Sequence, residues 1–411
     1  MVITRRSFLR ASAATGLISL GGMPPQFLCR AALSSDAHSK PFAGRILVIL
    51  ELEGGNDGLN TVIPYADEEY YKARPGIGIA RDTVLRLDDH LGLHPQLAGF
   101  KELYDEGLLA VVQGVGYPQP DRSHFRSMDI WQSASLDTSA PDRGWVGRAL
   151  DAAADESTSE APALAIGLQR LPLALTAASV NVPTIADIDG FRLDTGADEK
   201  GGGKRRQLIY RLAEPNNSGS GDLLFLQQAA TSAYRTAERL GEVTREYRPA
   251  AAYPATRLAG HLKLIAQMIS GGLETRIFFV SLSGFDTHAQ QPGAHQALLS
   301  ELASAVRAFY ADLQGHSLHE GVVLATYSEF GRRVKENGSL GTDHGAASQM
   351  FIVTPGKGGL YGAHPSLTDL DEGDLKFHTD FRSVYATLLE KWLGFASEPV
   401  LGAQFPTMTF V

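Results

Sequence analysis

Five short runs of Val, Ile and Leu stand out along the chain: "RILVILEL" at 45–52, "LLAVVQGVG" at 108–116, "RIFFVSL" at 276–282, "GVVLATYS" at 321–328 and "QMFIVTPG" at 349–356. Each is close to continuously apolar, the pattern of a strand buried on both faces, as in a parallel sheet. Between them, apolar residues recur at helical spacing over 96–104, 125–132, 256–269, 295–313 and 381–392. Strands alternating with helices predict an α/β fold, a doubly wound, mostly parallel sheet flanked by helices. "APALAIGLQRLPLAL", from 161, is a candidate for one more strand. No internal repeat is visible.

The stretch near 195–221, with "TGADEKGGGKRRQ" and "EPNNSGSGD", is polar and glycine-rich. It reads as a loop within one domain, because strand–helix alternation resumes after it. The domain is therefore expected over 38–411. Ahead of it, "MVITRRSFLRASAATGLISLGGMPPQFL" places the twin arginine Arg5–Arg6 before Phe8 and Leu9 and a mild apolar run. That is a twin-arginine export signal, and its run is too short to span a bilayer. Residues 1–37 thus form the signal peptide and a short mature segment, with cleavage between Ala31 and Ala37 and a periplasmic or otherwise exported destination. Twin-arginine export usually carries proteins already folded, often with a metal or cofactor bound.

Composition narrows the classes. The 411 residues carry 37 basic and 46 acidic side chains, a net charge of −9, with no basic block after the signal. A nucleic-acid partner is therefore not expected, since phosphate backbones demand clustered Lys and Arg. The single cysteine, Cys29, lies near the front, so the mature body is expected to use neither disulfide nor thiol chemistry.

In open α/β sheets, ligands bind outside the carboxyl ends of the strands, and polar residues collect there. "EGGNDGLN" holds Asp57, "YPQPDRSHFRSMDIW" holds Arg122, Ser123 and His124, "SGFDTHAQQ" holds Asp286 and His288, and "SEFGRR" holds Glu329 and Arg332. Asp343 and His344 in "GSLGTDHGAAS" precede the last strand. Each has two readings. Asp57 is a turn former or a ligand. Ser123 is a helix cap, or a hydroxyl facing a helix dipole suited to an anionic ester. Glu329 and Arg332 are an internal ion pair or site residues. Asp286 and His288, two apart, project to one face of an extended segment and could share a metal. Adjacent Asp343 and His344 could serve one each of two metals that clamp a phosphoryl transfer. Mixed Asp and His ligands favour a divalent Zn or Mn over Mg or Ca.

Together, "RILVILELEGGNDGLNTVIPY", "DRSHFRSMDIWQ", "GFDTHAQQ", "SEFGRR", "TDHGAASQMFIVTPG" and "TDFRSVYATLLEKWLG" resemble domain of unknown function 1501. This is an exported bacterial family in the alkaline phosphatase-like (sulfatase-like) group of folds. The resemblance implies one or two metal ions, with Asp57, Asp286, His288, Asp343 and His344 as ligands and His364 and His378 as candidates for the last, His378 being nearer the expected place. It implies Ser123 as nucleophile, with Arg122 or Arg332 steadying the anionic group of a phosphate or sulfate ester. The group usually has three residues between its Asp and His, and this chain has one between Asp286 and His288. That departure motivates an alternative, a non-catalytic exported protein that keeps the fold and binds a protein partner or assembles with one.

Overall fold

The computed structural model describes residues 44–137, 141–153, 162–180, 182, 184–185 and 247–411. The export signal at 1–37 and the polar loop at 195–221 lie outside the described residues.

The apolar runs become the centre of one nine-stranded sheet. Its strands are β1 (Ile46–Glu53), β2 (Leu109–Gly116), β3 (Ala163–Ile166), β4 (Thr184–Ile185), β5 (Ile277–Ser283), β6 (Val322–Tyr327), β7 (Ser348–Val353), β8 (Gly359–Tyr361) and β9 (Thr379–Asp380). They lie in the order β8-β2-β7-β6-β1-β5-β3-β4, with β9 also on β2. β1 runs parallel to both β5 and β6. β7 runs antiparallel to both of its neighbours, β2 and β6. A both-faces-buried strand is apolar whichever way it points, so this reversal was not written in the run at 349–356.

Both faces are covered, and alternate residues of each strand feed opposite layers. Val48, Leu50, Phe278, Val280, Leu324 and Phe351 pack with α2 (Ala98–Asp105), α5 (Arg257–Ser270) and α6 (Gln291–Gly315). Leu47, Ile49, Phe279, Val323 and Ile352 pack with α3 (His124–Ser133), α4 (Trp145–Ala152) and α7 (Phe381–Thr387). Burying one such large side chain contributes about 1.5–3 kcal/mol. A short helix, α1 (Glu68–Ala73), lies beyond the end of β1, with Asp67 capping its first turn. α7 is capped by Asp380, which accepts from Arg382 N and pairs with its guanidinium. The periodicity over 381–392 covers two elements, because α7 gives way to a π-turn at Leu388–Leu393. None of the described helices is long and apolar enough to cross a membrane.

One acidic side chain breaks the apolar rule. Glu51 of β1 is 6 % exposed and accepts from Gln132 and Tyr327. Burial pushes its carboxyl up to about 7, against the lowering effect of those two hydrogen bonds. A carboxyl with a folded pKa above its unfolded value of 4.5 stabilises fully below that value and loses its contribution as pH rises towards 7. Glu51→Gln removes this loss: measured by denaturant unfolding, the stability of the variant relative to the wild type is expected to rise between pH 5 and pH 8, by on the order of 3 kcal/mol. A variant–wild-type difference that does not change with pH contradicts it.

Candidate functional site

The site forms where the carboxyl ends of β1, β2, β5 and β6 meet the segment before β7. The turn after β1 must pass very close to its neighbours. A Cβ on Gly54 would stand 2.3 Å from the backbone of Asp286, and one on Gly55 would stand 2.2 Å from the Phe330 ring. Both glycines have positive φ, at 119° and 79°, so no other residue suits either place.

Into this crossing runs Arg332, 1 % exposed. Its guanidinium donates to the carbonyls of Gly55 at 2.7 Å, Thr342 at 2.8 Å, Phe285 at 3.0 Å and Gly54, and to Asp286 Oδ1 at 2.8 Å. One planar fork thereby ties three loops together. Its backbone also bridges to His344, which brings the 343–344 segment alongside.

Three imidazoles meet over Asp286. His288 Nε2 lies 3.0 Å and His344 Nε2 3.3 Å from Asp286 Oδ1, with 2.9 Å between the two nitrogens. His124 Nε2 faces the other oxygen, Oδ2, at 3.5 Å. His124, Asp286 and His344 each offer a ligand atom within 4.8 Å of the others.

What stands behind each ring fixes its orientation. His344 Nδ1 lies 2.7 Å from the Arg122 carbonyl, His124 Nδ1 2.9 Å from Glu329 Oε1, and His288 Nδ1 3.3 Å from Asp343 Oδ1. All three partners are acceptors, so a neutral ring that donates its Nδ1 hydrogen to its partner turns an Nε2 lone pair inward. Desolvation also holds His344 below the usual imidazole range. Two lone pairs 2.9 Å apart repel unless a cation or a proton lies between them. Ligands about 2.0 Å from a tetrahedral ion lie about 3.3 Å apart, close to the edges of the His288–His344–Asp286 triangle. The donor set thus fits a transition metal, with the Nδ1 partners in the orienting role that carboxylates and carbonyls commonly take behind metal-bound histidines.

Charge points the same way. Asp286, Glu329 and Asp343 surround the cluster, with the Arg332 guanidinium on Asp286 and the charge of Arg333 acting on Asp343. Burial raises the Asp286 carboxyl, yet the lowering contacts around it, that with the Arg332 guanidinium foremost, outweigh it and hold it at about 2. The Asn337 amide, donating at 3.1 Å, is the main reason Asp343 is held low.

The model of the family described as "Protein of unknown function (DUF1501)" matches residues 45–393. The chain belongs to this family. No curated protein matches it in sequence. Similar solved structures include the C-terminal periplasmic domain of EcEptC from Escherichia coli in complex with Zn, at 9 % identity and TM-score 0.36, covering 77 % of this chain and 75 % of that one. Lipoteichoic acid synthase LtaP from Listeria monocytogenes matches at 8 % identity and TM-score 0.38, covering 98 % and 80 %. A protein in the alkaline phosphatase superfamily from Vibrio parahaemolyticus matches at 8 % and 0.37, covering 92 % and 76 %. Overlaps this slight leave the chemistry of this family member to its own residues.

Of the residues singled out in the sequence, Asp286, His288, Asp343 and His344 come together, with Asp343 behind His288 instead of beside a second ion. Ser123 immediately precedes His124 as the N-cap residue of α3, exposed, with a hydroxyl that makes no capping bond. Arg122 is turned away from the centre, its Nε donating to Asp374 at 2.8 Å. Arg332 is spent on backbone carbonyls and on Asp286. His378 lies against β2, its backbone N–H on Gly114 and its ring edge near that residue.

Asp57 is the largest departure. It is fully buried and accepts from Arg74 at 2.6 Å, Gln291 at 2.5 Å and Asn60 N at 3.3 Å. Burial raises its carboxyl, but Arg74 overrides this and holds it below the ordinary value. An internal guanidinium therefore supplies the cation that the resemblance assigned to a metal. His124 and Glu329 carry more of the site than their sequence context indicated. The one signal for His124 was its place beside Ser123 at a helix start. Arg74→Met leaves Asp57 buried without its counter-charge and is expected to cost about 3–5 kcal/mol of stability, with metal content unchanged by elemental analysis. A lost ion with unchanged stability would return Asp57 to the ligand set.

Proposed function

We propose that the protein is an exported, metal-dependent hydrolase of phosphate or sulfate esters that uses one divalent ion, zinc or manganese. The convergence of three inward-facing imidazole nitrogens on Asp286, with Ser123 one residue before His124 at the start of α3, carries this reading. Asp286, His288 and His344 hold the ion, and His124 either completes its coordination or takes a proton at Nε2. When bound, the ion supplies Lewis-acid stabilisation of the ester's oxygen and lowers the pKa of a coordinated hydroxyl.

The residues do the rest. The Ser123 oxygen attacks the phosphorus or sulfur, the bond to the departing alkoxide breaks, and that oxygen takes up a proton. Water then cleaves the seryl ester and restores the hydroxyl. With Arg122 and Arg332 already paired internally, the free N–H groups of the first turn of α3 receive the anionic group, where the helix dipole favours negative charge, and an ion held by the histidine cluster would share that charge. The choice of a single ion rests on the pairing of Asp57 with Arg74 and on the place of His378 against Gly114 of β2. Export to the periplasm rests on Arg5–Arg6 and the apolar run after them.

The same pairing of both arginines favours a second reading, an exported binding or assembly protein with no turnover. Elemental analysis of protein purified without chelator is expected to give one zinc or manganese per chain, lost in His288→Ala. Ser123→Ala is expected to keep the ion and lose turnover of an aryl phosphate or aryl sulfate by at least about 10³-fold. A metal-loaded protein inert towards both esters, with Ser123→Ala no different, supports the binding reading.

A further inference from the structure

A small hairpin outside the main sheet reaches the histidine cluster through two arginines. Leu370–Asp371 and Asp374–Leu375 pair antiparallel across Glu372 and Gly373, whose φ angles are both positive, at 50° and 87°. A two-residue turn of that hand matches the twist of the strands it joins. The hairpin sets Asp374, 2 % exposed, beside Arg122 and Arg333. Asp374 Oδ2 accepts from Arg122 Nε at 2.8 Å and from Arg122 Nη2, while Oδ1 faces Arg333 Nε at 3.8 Å. The Glu372 carbonyl accepts from Arg333 Nη1 at 3.1 Å, and its exposed carboxylate lies 3.7 Å from Arg122. Two guanidiniums thus converge on one hairpin, with Asp374 as their buried counter-charge. Burial raises the Asp374 carboxyl, and the hydrogen bond and charge of Arg122 oppose that rise.

Both arginines touch the cluster with their main chains. The Arg122 carbonyl lies 2.7 Å from His344 Nδ1, and the Arg333 N–H donates to the Asp343 carbonyl at 3.0 Å. His124 is held differently. Its Nδ1 faces Glu329 Oε1, which also accepts from the Gly54 N–H at 2.9 Å, and Glu329 is fully buried. Loss of the Asp374 carboxylate therefore strips the counter-charge from the Arg122 side chain and leaves the partner of His124 untouched. A hydrogen bond at 2.7 Å weakens with small displacements of its acceptor, so the carbonyl behind His344 is the first contact to suffer.

We propose that Asp374 is a positioning residue of the cluster, holding the Arg122 carbonyl against His344 Nδ1 and so setting which nitrogen of that ring faces Asp286. The geometry stands without an ion, and only its effect on metal affinity rests on the metal-centre reading. NMR of the full protein, with its histidines labelled in heavy nitrogen, tests it at pH 8, where a His344 ring held below the usual imidazole range is neutral. Ring-nitrogen shifts, read through the carbon-bound ring protons, report the tautomer. Wild-type His344 is expected to carry its hydrogen on Nδ1. Asp374→Leu removes the acceptor, and Arg122→Met keeps the carbonyl but removes the guanidinium. In both, the two His344 nitrogen shifts are expected to move towards each other as the tautomers mix, with a smaller change at His124. The double variant is expected to go no further than the larger single effect. Zinc affinity, measured by chelator competition, is expected to fall about tenfold in each variant. A mixed His344 tautomer in the wild type overturns the proposal, as does an unchanged His344 in the variants or an equal change at His124. If the wild type binds no zinc, the metal-centre reading fails, and the nitrogen shifts still decide the role of Asp374.

Discussion

A buried guanidinium holds the site together. The loops after β1 and β5 and the segment before β7 come from distant parts of the chain. Arg332 meets Gly54, Gly55, Phe285 and Thr342 through their carbonyls and Asp286 through its carboxylate. Buried backbone acceptors at the crossing are thereby satisfied, and the Phe285 carbonyl takes the Thr287 N–H as well, at 2.8 Å. Asp286 is positioned and kept ionised by the same group. An arginine in a strand-end motif invites assignment to substrate binding, but here its charge is consumed in construction.

The imidazoles depend on a second set of contacts. Glu329, Asp343 and the Arg122 carbonyl each take an Nδ1 hydrogen, and the three rings are left facing one point. Adjacent Asp343 and His344 therefore act in series with different partners. His344 reaches into the cluster, and Asp343 stands behind His288 with Asn337 holding it. Phe330 fills the floor, its ring centre 4.4 Å from that of His344 and 4.9 Å from that of His124. The glycines at 54 and 55 exist to let this ring and the Asp286 backbone approach the first turn. Chemistry at the edge thus rests on packing just beneath it.

Much of the fold was legible because burial on both faces leaves an unmistakable apolar run, and every run became a strand of the sheet. Strand direction left no such trace, and β7 is reversed. At the site, residue types at strand ends led to Asp286, His288, Asp343 and His344. They did not distinguish a ligand from a residue that positions one, since both tasks use carboxylates. Asp57 shows the limit most clearly. Its role is set by Arg74, which is 17 residues away in the chain and lies in "YYKARP", a stretch whose pattern gives no sign of a buried cation. Pairings of that kind depend on how α1 folds back over the first turn, and no local spacing encodes them.

X-ray absorption at the metal edge of the native protein tests the proposed centre most directly. A first shell of imidazole nitrogens with one carboxylate oxygen, at about 2.0–2.2 Å, is the expected result. A shell of oxygen alone, or a metal–metal vector at about 3.5–4 Å, would contradict a single histidine-rich ion.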